Sequence, residues 1–115
     1  MKRGEVYIAD LVPRSGSEQK GRRPVIIVSH NGFNETPAWR SIIVAPVTSS
    51  LSQGRRGLTV VELPAGSAGL SKLSFAVCHQ VTTLDRGKLT RKVGELPAEL
   101  LRQVEAALKA AMDLD

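Results

Sequence analysis

The sequence predicts a small, strongly bent antiparallel β-barrel with one α-helix packed beside it, and three observations carry that expectation. Apolar residues fall in short, β-branched runs separated by glycine, proline and polar residues, which is the pattern of strands and turns. From Pro97 onward the composition changes to helix formers with a single apolar stripe. The length of 115 residues suits one domain, spanning 1–115, built round one hydrophobic core.

Taken in order, EVYIA (Glu5–Ala9) alternates Val6 and Ile8 against Tyr7 and Ala9, the period of a half-buried strand. PVIIVS (Pro24–Ser29) and SIIVAPV (Ser41–Val47) are almost continuously apolar, as expected of strands covered on both faces. Pro46 cannot donate to a ladder, so its run is expected at an edge or a bulge. LTVVEL (Leu58–Leu63) and LSFAVCHQ (Leu73–Gln80) complete the set, giving five or six strands in all. In the final segment Leu100, Leu101, Val104, Leu108 and Met112 recur at helical spacing. Pro97 suits the first turn and Glu99 the positive end of the helix dipole. Two long polar stretches, Pro13–Arg23 and Ser49–Gly57, remain as loops, and loops of that length in so small a domain tend to carry function.

Composition narrows the chemistry. The single cysteine, Cys78, forbids an intrachain disulfide and reads as a small buried hydrophobe, which suits a reducing compartment. Glu5 and Asp10 interrupt any signal-peptide apolar segment, and no run is long enough to span a bilayer; a cytoplasmic protein without membrane contact is expected. The net charge is +5, with basic residues clustered at Lys2–Arg3, Lys20–Arg22–Arg23, Arg55–Arg56 and Arg86–Lys88–Arg91–Lys92. Such a surface attracts polyanions by releasing condensed counterions, although charge alone equally describes a solvated face. There is no G-x-S-x-G, P-loop, H-E-x-x-H or C-x-x-C pattern. His30 and His79 have no cysteine or carboxylate at ligand spacing, so neither a metal nor a cofactor is expected.

What remains is a set of polar residues at strand ends. Arg23 precedes the run opened by Pro24, Thr48 closes the run of Ser41–Val47, and His79 and Gln80 close LSFAVCHQ. If adjacent strands bring these ends together, an arginine, a hydroxyl, an imidazole and an amide line one pocket. Such a pocket can clamp a phosphate and stabilise developing negative charge. Singly, each residue has an ordinary structural explanation: a surface charge, a turn former, a strand-end histidine. Among the few aromatic residues, Phe75 reads as core and Tyr7 as packed at the barrel edge. Phe33 and Trp39 read either as rings that stack unpaired bases or as cover for a barrel end or dimer seam.

Four stretches carry a resemblance to the MazF/PemK/Kid toxins: KRGEVYIADLVP (2–13), GSEQKGRRPVIIVS (16–29), IIVAPVTS (42–49) and TLDRGKLTRKVGELP (83–97). The resemblance implies an SH3-like or CcdB-like barrel with a C-terminal helix, a homodimer, and sequence-selective cleavage of single-stranded RNA. It implies catalytic roles for Arg23 and Thr48, and a loop of Ser17, Glu18 and Gln19 that shapes or gates the RNA channel. Lys20, Arg22 and Gln80 join these as candidate RNA contacts. Many relatives carry an acidic residue before the strand-end glutamine and an arginine two residues after it, where this chain has His79 and Thr82. Arg86 is then the candidate to replace the missing arginine. His79, as a residue type that titrates near neutral pH, is the candidate acid/base, since a guanidinium stays protonated.

The reaction implied needs no metal: the ribose 2′-OH attacks the adjacent phosphorus, giving a 2′,3′-cyclic phosphate and a 5′-OH end. A cognate antitoxin is implied to inhibit by laying a disordered acidic tail in the basic groove, with operator DNA contacted only through the antitoxin complex. Two alternatives stay open at this stage. One is a CcdB-like gyrase poison, although the end AAMDLD lacks that branch's Trp-Gly-Ile tail. The other is an inactive relative that binds RNA or antitoxin.

Overall fold

The computed structural model describes residues 1–11, 21–50 and 57–115. Seven strands run in the order β1 (Glu5–Leu11), β2 (Gly21–Ile27), β3 (Ser41–Thr48), β4 (Val60–Leu63), β5 (Ser74–Val77), β6 (Thr82–Asp85) and β7 (Leu89–Glu95). A one-turn helix α1 (Asn31–Asn34) lies between β2 and β3, and the C-terminal helix α2 covers Ala98–Met112. All pairings are antiparallel, in the spatial order β4-β5-β3-β2-β1-β7, with β6 also on β3. Among the described residues β4 and β7 do not pair, so the sheet curls into a barrel-like shape without closing.

The expected strands are present with altered ends. β2 starts at Gly21, which moves Arg22 and Arg23 from the expected loop into a ladder opposite Asp10 and Ala9. LSFAVCHQ is strand only to Val77, and Cys78–Gln80 form a 3-10 turn. Two strands, β6 and β7, were not expected from the apolar pattern. The edge, one of the two places expected for Pro46, is overturned. Its strand β3 is central, with β2 on one side. On the other side β3 pairs with β6 through Val44 and resumes with β5 at Val47. Pro46 thus sits in the gap between two ladders, where a missing N–H breaks neither.

Two clusters of buried side chains explain the continuous apolar runs. Val6, Ile26, Val47, Val61, Leu63, Ala76 and Cys78 pack against Val104, Ala107 and Leu108 of α2. Ala9, Val25, Ile27, Ile42 and Val44 form a second cluster, with Tyr7, Leu84 and Leu89 packed on it. β2 alternates between the two, Ile26 inward to the helix and Val25 and Ile27 to the other side, so neither face of it tolerates a polar residue. The helix stripe is real, but it fades toward its end, where Met112 is half exposed.

Candidate functional site

The β2–β3 pairing ends at Val25 opposite Pro46, and Arg23 and Thr48 each lie two residues beyond that pair on their own strands. Both line a cavity of about 160 Å³, with Pro24, Val47, Ser49, Leu70, Ser71, Lys72 and Ser74. Every charged or polar side chain on this wall is a cation or a hydroxyl. Such a donor set suits an anion and lacks the carboxylate oxygens that hard divalent cations need.

Among the described residues neither Arg23 nor Lys72 has a carboxylate within ion-pair distance. Arg22, next in sequence to Arg23, pairs instead with Asp10 across β1 at 3.5 Å, in an exposed position. Thr48 Oγ1 accepts the Ser50 N–H at 3.0 Å, which fixes the hydroxyl and leaves its own proton to donate. Ser49, Ser71, Lys72 and Ser74 were not singled out by the sequence. Isolated serines and a lysine in a turn carry no periodic signal, and only the fold collects them.

His79 and Gln80 are placed elsewhere. Thr48 pairs with Phe75 at the start of β5, and His79 follows the far end of that strand, roughly 10 Å further along. There its Nδ1 and the Thr59 hydroxyl share a hydrogen bond of 2.8 Å, and the turn packs against α2. The expected meeting of arginine, hydroxyl, imidazole and amide therefore reduces to the arginine and the hydroxyl. The reason is the antiparallel direction: β3 ends where β5 begins, so their C-terminal ends cannot coincide. Ser17, Glu18, Gln19 and Lys20 lie outside the described residues, as do Arg55 and Arg56.

Arg86 departs most from expectation. Its Nε donates to Trp39 O at 2.9 Å, Nη1 to Asn34 O, and Nη2 to Phe33 O and Thr36 O, each at 3.0 Å. The fifth donor points to Met1 Sδ at 3.9 Å. A guanidinium with four donors committed to the loop between β2 and β3 and the fifth turned to Met1 has none left for a phosphate in this arrangement. Beside it Arg40 forms a fork on Asp85, which holds that carboxyl below its usual range, aided by the Gly87 N–H. Phe33 and Trp39 stack on each other at 4.5 Å between centroids, 12° from parallel, and Trp39 Nε1 donates to Ser41 O. Cys78 is fully buried, and desolvation pushes its thiol up to about 12, so it is an inert packing group. No helix among the described residues is long and apolar enough to cross a membrane.

The family model for the PemK-like, MazF-like toxin of type II toxin-antitoxin systems matches residues 2–112. The chain is 36% identical to endoribonuclease EndoA of Bacillus subtilis, over 99% of this chain and 96% of that protein. Among solved structures, the Mycobacterium tuberculosis toxin MazF-mt6 superposes with a TM-score of 0.79 at 27% identity, covering 96% of this chain and 98% of that one. A mycobacterial endoribonuclease in complex with its cognate antitoxin superposes with a TM-score of 0.77 at 26% identity, covering 98% and 95%.

Proposed function

Since the chain belongs to the PemK-like, MazF-like toxins of type II toxin–antitoxin systems and is an endoribonuclease of that family, we propose that it cuts single-stranded RNA, without a metal, in the cavity shared by Arg23 and Thr48. The observation that supports this reading is the Arg23 guanidinium, without a carboxylate partner among the described residues, lining one cavity with an oriented hydroxyl and other anion donors.

The chemistry follows from RNA itself. The 2′-oxygen attacks the neighbouring phosphorus, the bond from phosphorus to the 5′-oxygen breaks, and the 2′-OH proton is lost as the departing oxygen gains one. Negative charge accumulates on the non-bridging oxygens as the fifth bond forms. Arg23 meets that charge with parallel N–H donors, and Thr48 donates its O–H to the same phosphate. Holding sugar and phosphate in line supplies the rest of the acceleration. His79 is set apart from this cavity, which favours a structural role for it over acid/base work in the same chain. Arg22, Gln80 and the loop of Ser17, Glu18, Gln19 and Lys20 stay as candidates for holding the RNA on either side of the cut.

The same groove of donors suits an acidic peptide. A solved relative in complex with its cognate antitoxin supports the reading that this chain also meets an antitoxin; an acidic tail would inhibit here by occlusion, with operator DNA met only through that complex. A homodimer is supported by a second groove of about 490 Å³ between the sheet and α2, where Ile43, Met112 and Leu114 stay exposed. A reduced, cytoplasmic location agrees with the lone buried thiol.

The decisive experiment incubates the protein with a long single-stranded RNA in excess EDTA beside an Arg23→Ala control, with ends mapped by primer extension. Discrete cuts bearing 5′-OH ends, lost in the control, are expected. Cleavage that EDTA abolishes, or that Arg23→Ala retains, would overturn the mechanism.

A further inference from the structure

Resting on the reading that Arg23 and Thr48 hold the scissile phosphate, we propose that Lys72 is a second cationic contact to that phosphate, supplied by the turn before β5. The cavity places Lys72 with Arg23 and Thr48, and a divided task for the two cations follows from their chemistry. A guanidinium offers a flat fork suited to two oxygens at once, whereas an ammonium is a compact charge that follows whichever oxygen gains density. Transfer at phosphorus leaves more than one oxygen to neutralise, and one arginine does not cover them all. Lys72 is exposed and, among the described residues, has no carboxylate to pair with.

The turn that carries Lys72 is built to stay in place. The buried Ser74 hydroxyl donates to Lys72 O at 2.9 Å, fixing the backbone at the lysine itself. Upstream, Gly66 N–H donates to Leu70 O at 2.6 Å and Leu70 N–H to Ser67 O at 2.9 Å. Gly69 adopts φ +78° and lies so close to β7 that a Cβ there would collide with Val93 O. A rigid turn removes the backbone share of the ordering cost, so only the lysine side chain has to be fixed when a charge arrives with the substrate.

The test compares wild type, Lys72→Met, Lys72→Arg and Arg23→Ala on an RNA oligonucleotide centred on a mapped cut. Binding is measured in parallel on the same oligonucleotide with a 2′-deoxy sugar at the cut, over a range of salt. Lys72→Met is expected to lower kcat/KM by about 10- to 100-fold, the worth of one charged hydrogen bond. The slope of log affinity against log salt should shrink by about 0.7, the value for one phosphate contact on a single strand. Lys72→Arg should restore most of both, and the melting temperatures of the lysine variants should match wild type. Wild-type kinetics and salt slope in Lys72→Met, with Arg23→Ala inactive, would overturn the role of Lys72 and leave the Arg23–Thr48 site standing. Equal losses in both lysine variants with lowered melting temperatures would show a structural residue and overturn it too. Full cleavage by Arg23→Ala would remove the site and this inference together.

Discussion

Arg23 and Arg86 look alike in the sequence, each a member of a basic cluster, and the two ends of β3 use them in opposite ways. At the Ser41 end, Arg86 gives its donors to the carbonyls of residues 33, 34, 36 and 39, and Arg40 locks onto Asp85. At the Thr48 end, roughly 20 Å along the strand, Arg23 and Lys72 face a cavity with no carboxylate on its wall. At one end the two arginines are engaged by the protein, and at the other the cations are left for something that arrives. Cationic character therefore locates the site less well than cations gathered with hydroxyls on one wall that carries no carboxylate. The latter is a property of the fold.

That contrast can be broken or sharpened in three ways, in falling order of effect. Arg23→Ala should reduce cleavage by at least about 10²–10³-fold, the usual cost of one transition-state donor, with an unchanged thermal melt. A melt shifted with activity intact would reverse the roles of the two arginines. Arg86→Met should do the complementary thing. Stranding the loop carbonyls should cost roughly 1–3 kcal/mol of stability in urea titration, while cleavage per folded molecule falls far less than in Arg23→Ala. His79→Ala should change single-turnover cleavage by no more than about 3-fold, since a distant side chain adds no transition-state contact. A hundredfold loss would return His79 to the chemistry.

The smallest effect is one of pH and belongs to neither end. Glu5 is buried, which works to raise its carboxyl, yet the Lys92 ammonium at 2.8 Å and the Lys2 N–H at 2.7 Å bring it below its ordinary value of 4.5. A depressed carboxyl stabilises the fold fully above its unfolded value, and that contribution disappears as pH falls through the folded one. Melting temperature should therefore start to drop as pH falls below the ordinary carboxyl value of 4.5, and drop less in Glu5→Gln. Identical curves would mean that the ion pair contributes nothing.

The parts of the fold that sequence made legible are those where burial imposes a pattern. β1 to β5 and α2 each place β-branched or leucine residues at a strand or helix period, because each touches one or both cores. β6 and β7 escaped notice for the same reason in reverse. LTRKVGE is mostly exposed, has only Leu89 and Val93 as apolar markers, and crosses β1 with register shifts that blur alternation. Arg23 and Thr48 were legible as strand ends because the β2–β3 register is set by neighbouring apolar residues. His79 was misplaced because strand ends do not declare which end of the sheet they reach. Lys72 was invisible, since a lone lysine between Ser71 and Leu73 is indistinguishable from a solvated one until the turn is folded.

The close approach of the Ser67–Gly69 turn to β7 has a consequence for genetics. Gly69 cannot accept a side chain against Val93 O, nor Gly94 one against Ala68 O. A selection for cells that survive expression of this toxin should therefore return two kinds of allele. Changes at Arg23 or Thr48 would yield soluble, abundant protein that no longer cuts. Changes at Gly69 or Gly94 would yield little protein at all, although Gly69 is only three residues from Lys72. Scoring survivors by abundance on an immunoblot would sort hinge-pin glycines from working residues before any of them is purified.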